Sequence, residues 1–448
     1  MSNRTFVAVV AILLLLAVGA GQGSANTKGI PNMRAMKYGF FVHYVPRITV
    51  DSHGKSIADP DTLADSFDAT GFANDLKSMG VEYVIFTAWH YKMVALYPSK
   101  VMPKWLPEGH VTRRDMIGDM IKAVKANGIR VILYTHPRDG HDFEPAEQDL
   151  TGWGSGATSV DPNWKTFDFA KWNNFINEMY GELVDRYGND IDGIYLDEGH
   201  WFGNSYKVVD YVRLRDTIKG KHPHLIMLTN YFGNLYTCDI GDLEFAGSGT
   251  FSGSDGDMWT GRRQPVAPVI GSSWVASRPS SENTVTFSPE SIFRYTILQA
   301  GINTDGLGVQ WATGPYSGGG WETGVMDTMR KVGEYVARIS RSIKGTYPST
   351  SYITQDGRSI SYLSWGVATR STDDKYEYIH VLKPPTSNTL RLPSPADGKT
   401  FEAARLVSNG HAVTMHQDRD ELSLTLQASD AWDALDTAVE LTVKGKKR

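Results

Sequence analysis

Between residues 38 and 312, short apolar runs rich in β-branched and aromatic residues alternate with stretches whose apolar positions recur every three to four residues. The runs are YGFFVHY (38–44), VEYVIFTAWH (81–90), IRVILYTH (129–136), IDGIYLDE (191–198), HLIMLTN (224–230), IGDLEF (240–245), APVIGSSW (267–274) and GLGVQWA (306–312). A near-continuous apolar strand is what a parallel sheet requires when helices cover both of its faces. Helical period appears between the runs, in FANDLKSMG (72–80), RRDMIGDMIKAVKANG (113–128), KWNNFINEMYGELVDRYG (171–188) and PESIFRYTILQAG (289–301). A glycine closes each of these, as a helix C-terminus prefers. Eight strands in this rhythm over roughly 275 residues fit a (β/α)8 barrel, which typically takes about 250. A doubly wound open sheet is the rival, but no GxGxxG follows the first strand. The expectation is α/β: a TIM-like (β/α)8 barrel over residues 26–345.

The pattern changes after MRKVGEYVARISRSIKGTYPS (329–349). SISYLSWGVAT, EYIHVLK, TLRLP, EAARLVS, LSLTLQ and AVELTV alternate polar with apolar residues and are separated by turn-formers. That predicts a C-terminal antiparallel β-sandwich over 346–448.

The amino terminus reads MSNRTFVAVVAILLLLAVGAGQGSAN: a basic residue, an apolar run, then small residues. This is the pattern of a secretory signal, residues 1–25, cut after Ala25, and the apolar run is short for a permanent membrane span. The expected location is secreted or periplasmic. The only cysteine is Cys238, so no internal disulfide can form. A net charge of −5 with no long basic run argues against nucleic acid as a partner. Twelve Trp and 21 Tyr serve either a core or the apolar faces of sugars.

In a (β/α)8 barrel the active site lies where the strands end. The last polar or aromatic residues of the runs are His43, His90, His136, Asp197, Asn230, Glu244, Trp274 and Trp311. Asp197 and Glu244, on separate strands, are the chemistry-bearing pair: glycoside hydrolysis needs one carboxyl as nucleophile or base and another as proton donor. Glu198 is the weaker neighbour, since adjacent residues diverge, while Asp242, Asp255, Asp257 and Glu282 are alternative second carboxyls. His136, Asp139, His141 and Asp142 lie close in sequence, but no HExxH or similar close ligand spacing is present. No metal and no cofactor are therefore expected. Metal-assisted hydrolysis through His43, His90 and His136 is the weaker alternative.

These residues sit in segments that resemble the α-L-fucosidases of glycoside hydrolase family 29. KYGFFVHYVP (37–46), YVIFTAWHYKMVALYPSK (83–100) and ELVDRYGNDIDGIYLDEG (182–199) are similar to the family's early motifs. GDLE (241–244), SSW (272–274), GLGVQWATGP (306–315) and GEYVARISRSIKGTYPS (333–349) follow in the family's order. The resemblance implies a barrel followed by a β-sandwich and a retaining mechanism. In it Asp197 is the nucleophile, and Glu244 is chosen here as the acid/base. It further implies that His43 and His90 bind sugar hydroxyls and that Trp274 lies near the pocket. Tyr91, His136, Asn230 and Trp311 complete the expected substrate-binding set by position.

The sequence also departs from the family. Tyr44 replaces a Trp, Tyr91 replaces the second of two histidines, and Lys92, Met93 and Val94 replace the family's next three residues. Residues 50–70 hold no counterpart of its EWY segment, and Tyr231 stands where an arginine is expected. The expectation is an exo-acting retaining glycosidase, α-L-fucosidase-like, acting on a fucosylated or related glycan. The alternatives are the same fold working on another sugar, such as an α-L-galactoside, and an inactive carbohydrate-binding relative.

Overall fold

The eight strands Tyr38–Val42, Tyr83–Thr87, Arg130–Thr135, Gly193–Leu196, Ile226–Asn230, Ile240–Phe245, Val266–Pro268 and Val309–Ala312 close into one parallel barrel in sequence order. Closure is direct: Tyr38 of the first strand pairs with Val309 of the eighth. This computed structural model describes residues 33–157, 161–197, 205–230, 237–245, 260–261, 263–273, 277–285, 287–354, 360–361 and 363–445. The expected signal segment lies outside them. Among the described residues no helix is long and apolar enough to cross a membrane.

Side chains alternate along each strand, which sorts them into two layers. Phe40, Val42, Val84, Phe86, Val131, Leu133, Ile194, Leu196, Met227, Val309 and Trp311 face outward and share one apolar cluster with the helices. Leu76 and Met79 come from Ala69–Met79, Met120 and Ile121 from Met116–Ala126, and Phe175, Ile176 and Met179 from Phe169–Tyr187. An aspartate caps each of these three helices: Asp68, Asp115 and Asp168 accept from backbone N–H groups in the first turn. The opposite parity fills the barrel. Phe41, Tyr134 and Tyr195 meet there with ring centroids 5.3–5.6 Å apart. Lower down, the Tyr83 hydroxyl donates to Gln310, whose amide donates to Asp242 at 2.6 Å.

The carboxy-terminal part has a sheet of five strands in which Gly366–Ser371, Tyr376–Val381, Thr437–Val443 and Phe401–Leu406 pair antiparallel in that order. A second sheet holds Thr389–Pro393, Glu421–Thr425 and Thr414–Gln417. Leu390, Leu392, Leu422 and Leu424 of the smaller sheet pack against Ile379, Val381, Val439 and Leu441 of the larger. The expected sandwich is present. The other face of the larger sheet meets the helix Pro289–Ile302, where Gly301 lies against Val367. That close approach requires the absence of a side chain, because a Cβ on Gly301 would come within 2.6 Å of the Val367 Cβ.

Candidate active site at the barrel mouth

Asp197 is the first residue beyond the fourth strand, and its backbone N–H still donates to the Thr135 carbonyl at 2.9 Å. The chain therefore leaves the strand in step with the pleat, which puts Asp197 on the same inward face as Tyr195. Its carboxylate accepts from the Tyr134 hydroxyl of the third strand, and from the Asn230 amide of the fifth at 2.6 Å. Two donors on the flanking strands thus fix its orientation. Burial opposes its charge, but His136, the two hydrogen bonds and His90 outweigh that, and the carboxyl is held below the usual carboxylate range. It is ionised at neutral pH.

Three histidines surround it. His43 is fully buried, with its ring edge-on to Tyr134 at 4.6 Å and its Nδ1 2.8 Å from the Thr87 hydroxyl. The Thr87 proton is directed at the Val42 carbonyl, so the hydroxyl accepts from His43 Nδ1–H and the imidazole presents Nε2 as an acceptor. Burial and the neighbouring His90 push the His43 pKa down to about 3, so the ring is neutral. His90 and His136 lie stacked, 5.2 Å apart and 8° from parallel. Asp139 joins them: its Oδ2 is 3.1 Å from His90 Nδ1 and its Oδ1 is 3.2 Å from His136 Nδ1. Burial works against a charge on His90, yet its hydrogen bond to Asp139 and that carboxylate's charge raise its pKa above the ordinary histidine value. Burial likewise opposes the charge on Asp139, and His136 and His90 more than reverse it.

The segment after the second strand is tightly shaped. Tyr91, Lys92 and Met93 carry φ angles of 43°, 58° and 46°, three left-handed non-glycine residues in succession. Met93 is fully buried, the Lys92 carbonyl lies 2.8 Å from His110 Nδ1, and Lys92 Nζ pairs with Glu144 at 2.5 Å. This is the stretch where the sequence departs from the fucosidase pattern, and Tyr91 is half-buried there beside His90.

The structure thus gathers His43, His90, His136, Asp197 and Asn230 at one mouth. Trp311 is a correction: its indole lies outside the barrel wall, fully buried against Phe287 and Tyr295, with Nε1 3.4 Å from the Thr296 hydroxyl. It has the parity of Val309, not of the inward Gln310, so it packs under a helix. Asp242 is consumed lower in the barrel by Gln310, and Glu282 is exposed in a loop. The backbone of Glu244 pairs with Ala267 in the sixth strand. The Glu244 side chain and Trp274, Glu198, Asp255 and Asp257 lie outside the described residues. Reading only the last residue of each run passed over Tyr134 and Asp139. Tyr134 was legible, since it shares its strand face with His136 two positions on. Asp139 needed the turn Asp139–Asp142, which brings it back against His90.

The described residues thus form a closed parallel barrel and a β-sandwich, with an oriented, ionised carboxylate at the barrel mouth. Residues 56–230 match the family model for α-L-fucosidase, a span that contains His90, Tyr91, His136, Tyr134, Asp197 and Asn230. A putative α-L-fucosidase 1 of Oryza sativa subsp. japonica is 28% identical over 176 residues, which are 38% of this chain and 29% of that protein. A putative α-L-fucosidase of Caenorhabditis elegans is 30% identical over 83 residues, 18% of this chain and 17% of that one. The matched stretches thus span less than a third of either relative. Solved structures agree in fold over far more. An α-L-fucosidase of family 29 from Bacteroides thetaiotaomicron, trapped as a covalent intermediate, superposes with TM-score 0.66 at 17% identity, covering 93% of this chain and 96% of that one. α-L-Fucosidase isoenzyme 1 from Paenibacillus thiaminolyticus gives 0.62 at 18%, covering 92% and 97%. At such identity the likeness establishes the fold. The sequence match over residues 56–230 shows a likeness to the α-L-fucosidase family model in that span.

Proposed function

We propose that the protein is a secreted or periplasmic, exo-acting retaining glycosidase, α-L-fucosidase-like, that removes terminal sugars from glycans. The observation that carries this reading is Asp197, ionised and aimed by Tyr134 and Asn230. A nucleophile must be deprotonated and held in line with the anomeric carbon, and two strand-borne donors supply both. Asp197 attacks that carbon and forms a covalent glycosyl-enzyme as the aglycone oxygen leaves. A second carboxyl, assigned to Glu244, protonates the leaving oxygen and then deprotonates the water that releases the sugar. His43 Nε2, His90 and Tyr91 contact the sugar hydroxyls, and no cofactor takes part. The trapped covalent intermediate of the Bacteroides enzyme supports the chemical class. Support for a pocket tuned to another sugar, such as an α-L-galactoside, comes from the rebuilt segment at Tyr91–Met93.

The test is hydrolysis of a panel of aryl glycosides, α-L-fucoside and α-L-galactoside included, by wild type and Asp197→Ala, with azide added to the variant. Turnover by wild type that collapses in the variant, with azide giving a glycosyl azide, establishes the nucleophile, and the preferred substrate identifies the pocket. Turnover that survives in Asp197→Ala, or a folded wild type inert on every member, overturns the reading in favour of a different mechanism or a carbohydrate-binding relative.

A further inference from the structure

Among the described residues, the large apolar side chains left in water are Leu150, Trp164, Phe169, Tyr206, Val212 and Ile353. All but Ile353 belong to the connections that follow the third and fourth barrel strands. In a (β/α)8 barrel such a connection leaves its strand at the mouth, and the long helix that returns to the base starts there. Phe169 is the first residue of the helix Phe169–Tyr187, and Trp164 lies five residues before it. Both therefore stand on the mouth side, on the connection between the third strand and the strand that Asp197 closes. Trp164 is 46% exposed and Phe169 41%.

The backbone that presents these rings is held firmly. Asp161 accepts at 2.9 Å from the guanidinium of Arg138, which is fully buried two residues beyond His136. The Asn163 carbonyl accepts from the N–H groups of Thr166 and Phe167 at 3.0 and 2.8 Å, and the Asn163 amide donates to the Ser155 carbonyl at 2.8 Å. Gly154 passes so close that a Cβ there would lie 2.8 Å from the Asn163 carbonyl oxygen. Half-buried Phe167 joins the two exposed rings, with centroids 5.7 Å from Trp164 and 6.5 Å from Phe169. One exposed ring is ordinary, but two rings linked through a third at the rim of a mouth form a surface. A ligand that meets it has little loop ordering left to do.

Area decides what fits. A whole aromatic side chain offers 150–250 Å², so the exposed parts of Trp164 and Phe169 together present on the order of 200 Å². A stable protein interface takes roughly 800 Å² from each partner, so a second chain needs far more than this patch. A pyranose does not. The C–H groups on one face of a sugar ring meet the electron-rich face of an aromatic ring, while its hydroxyls remain in water. Exposed Lys165 beside Trp164 adds a hydrogen-bond donor for those hydroxyls.

We propose that Trp164 and Phe169 form a carbohydrate platform that holds the pyranose residues on the leaving-group side of the cleaved bond, so that the protein grips an oligosaccharide and not only its terminal sugar. That the held chain is delivered to Asp197 rests on the glycosidase reading; that the platform binds carbohydrate does not.

The test compares the full chain as wild type, Trp164→Ala and Phe169→Ala, each with its unfolding midpoint as a control. The first measurement is kcat/KM on the aryl glycoside that wild type prefers and on an oligosaccharide with the same terminal sugar. A stacking contact of this kind corresponds to a loss of about three- to tenfold on the oligosaccharide, expected mainly in KM, with the aryl glycoside unchanged to within about twofold. Equal losses on both substrates, or no loss on the oligosaccharide, overturn the proposal. The second measurement needs no catalysis: mobility in native gels cast with xyloglucan, mucin or fucoidan. Wild type should be retarded by at least one polymer, and Trp164→Ala should run free of it. Wild type retarded by none, or a variant retarded as strongly as wild type, overturns the platform. A wild type that hydrolyses nothing yet is retarded through Trp164 removes the glycosidase reading and keeps the platform. A wild-type dimer that Trp164→Ala turns into a monomer in sedimentation, with no retardation by any polymer, assigns the patch to a second copy and overturns the proposal.

Discussion

Replacing Tyr134 by Phe removes one atom from the site and leaves the packing in place. The ring meets Phe41, Tyr195, His43 and His90 with centroids 4.6–5.6 Å away, and a phenyl ring fills the same space. Only the hydroxyl that donates to Asp197 is lost. A hydrogen bond to a charged group contributes about 1.5–3 kcal/mol, and 1.36 kcal/mol corresponds to one pH unit in the titration of the group it stabilises. The Asp197 pKa, held low in part by this bond, should therefore rise by up to about one to two pH units. A nucleophile works only when ionised, so the acid limb of kcat/KM against pH should move upward by the same amount. The assay is the pH dependence of kcat/KM on the preferred aryl glycoside for wild type and Tyr134→Phe, with the unfolding midpoint as a control. An acid limb that stays put, or moves to lower pH, in a variant of unchanged stability would refute the reasoning.

His43 makes a second prediction, about stability. Its folded pKa of about 3 lies below the unfolded value of about 6.5. As pH falls between these values, the unfolded chain takes up a proton that the folded protein refuses, so stability drops with acid. At pH 4.5 the loss from this residue is about 2–3 kcal/mol relative to neutral pH. A folded His43→Gln variant should lose that much less between pH 7 and pH 4.5 in denaturant unfolding, and equal losses would show that His43 is not the sensitive group. Trp311→Phe should lower stability by about 1–2 kcal/mol through lost packing beneath the helix, while KM stays at the wild-type value. A raised KM without a stability change would return Trp311 to the pocket.

The strands were legible because each buries both faces and so reads as an apolar run: Tyr83, Val84, Ile85, Phe86 and Thr87 are all buried. Their ends were less so. The seventh strand ends at Pro268, with only a Val269–Ala312 bridge and the Ile270 N–H to the Ala312 carbonyl beyond it, although the run looked continuous to Trp274, because periodicity does not report where the ladder of backbone bonds gives out. SISYLSWGVAT looked like a single strand too, but Leu363 and Gly366 bond to each other across a turn inside it. In the site, Asp197 was readable as a carboxylate closing a strand. Trp311 was misjudged because the last aromatic residue of a run was taken as pointing into the mouth, when parity along the strand decides that. Asp139 was invisible as a partner of His90, since 49 residues separate them and only the fold brings them together.

The three left-handed residues after His90 bear on association more than on folding. Each non-glycine residue in that conformation costs roughly 1–2 kcal/mol, so the segment keeps its shape only because the buried Met93, the bond at the Lys92 carbonyl and the Lys92–Glu144 pair over-determine it. A wall built this way is finished before any ligand arrives. The ordering entropy that a flexible loop would surrender on binding has already been spent, and a ligand that does not fit finds no inexpensive rearrangement to accommodate it. Selectivity on this side of the mouth is then a matter of shape fixed in advance.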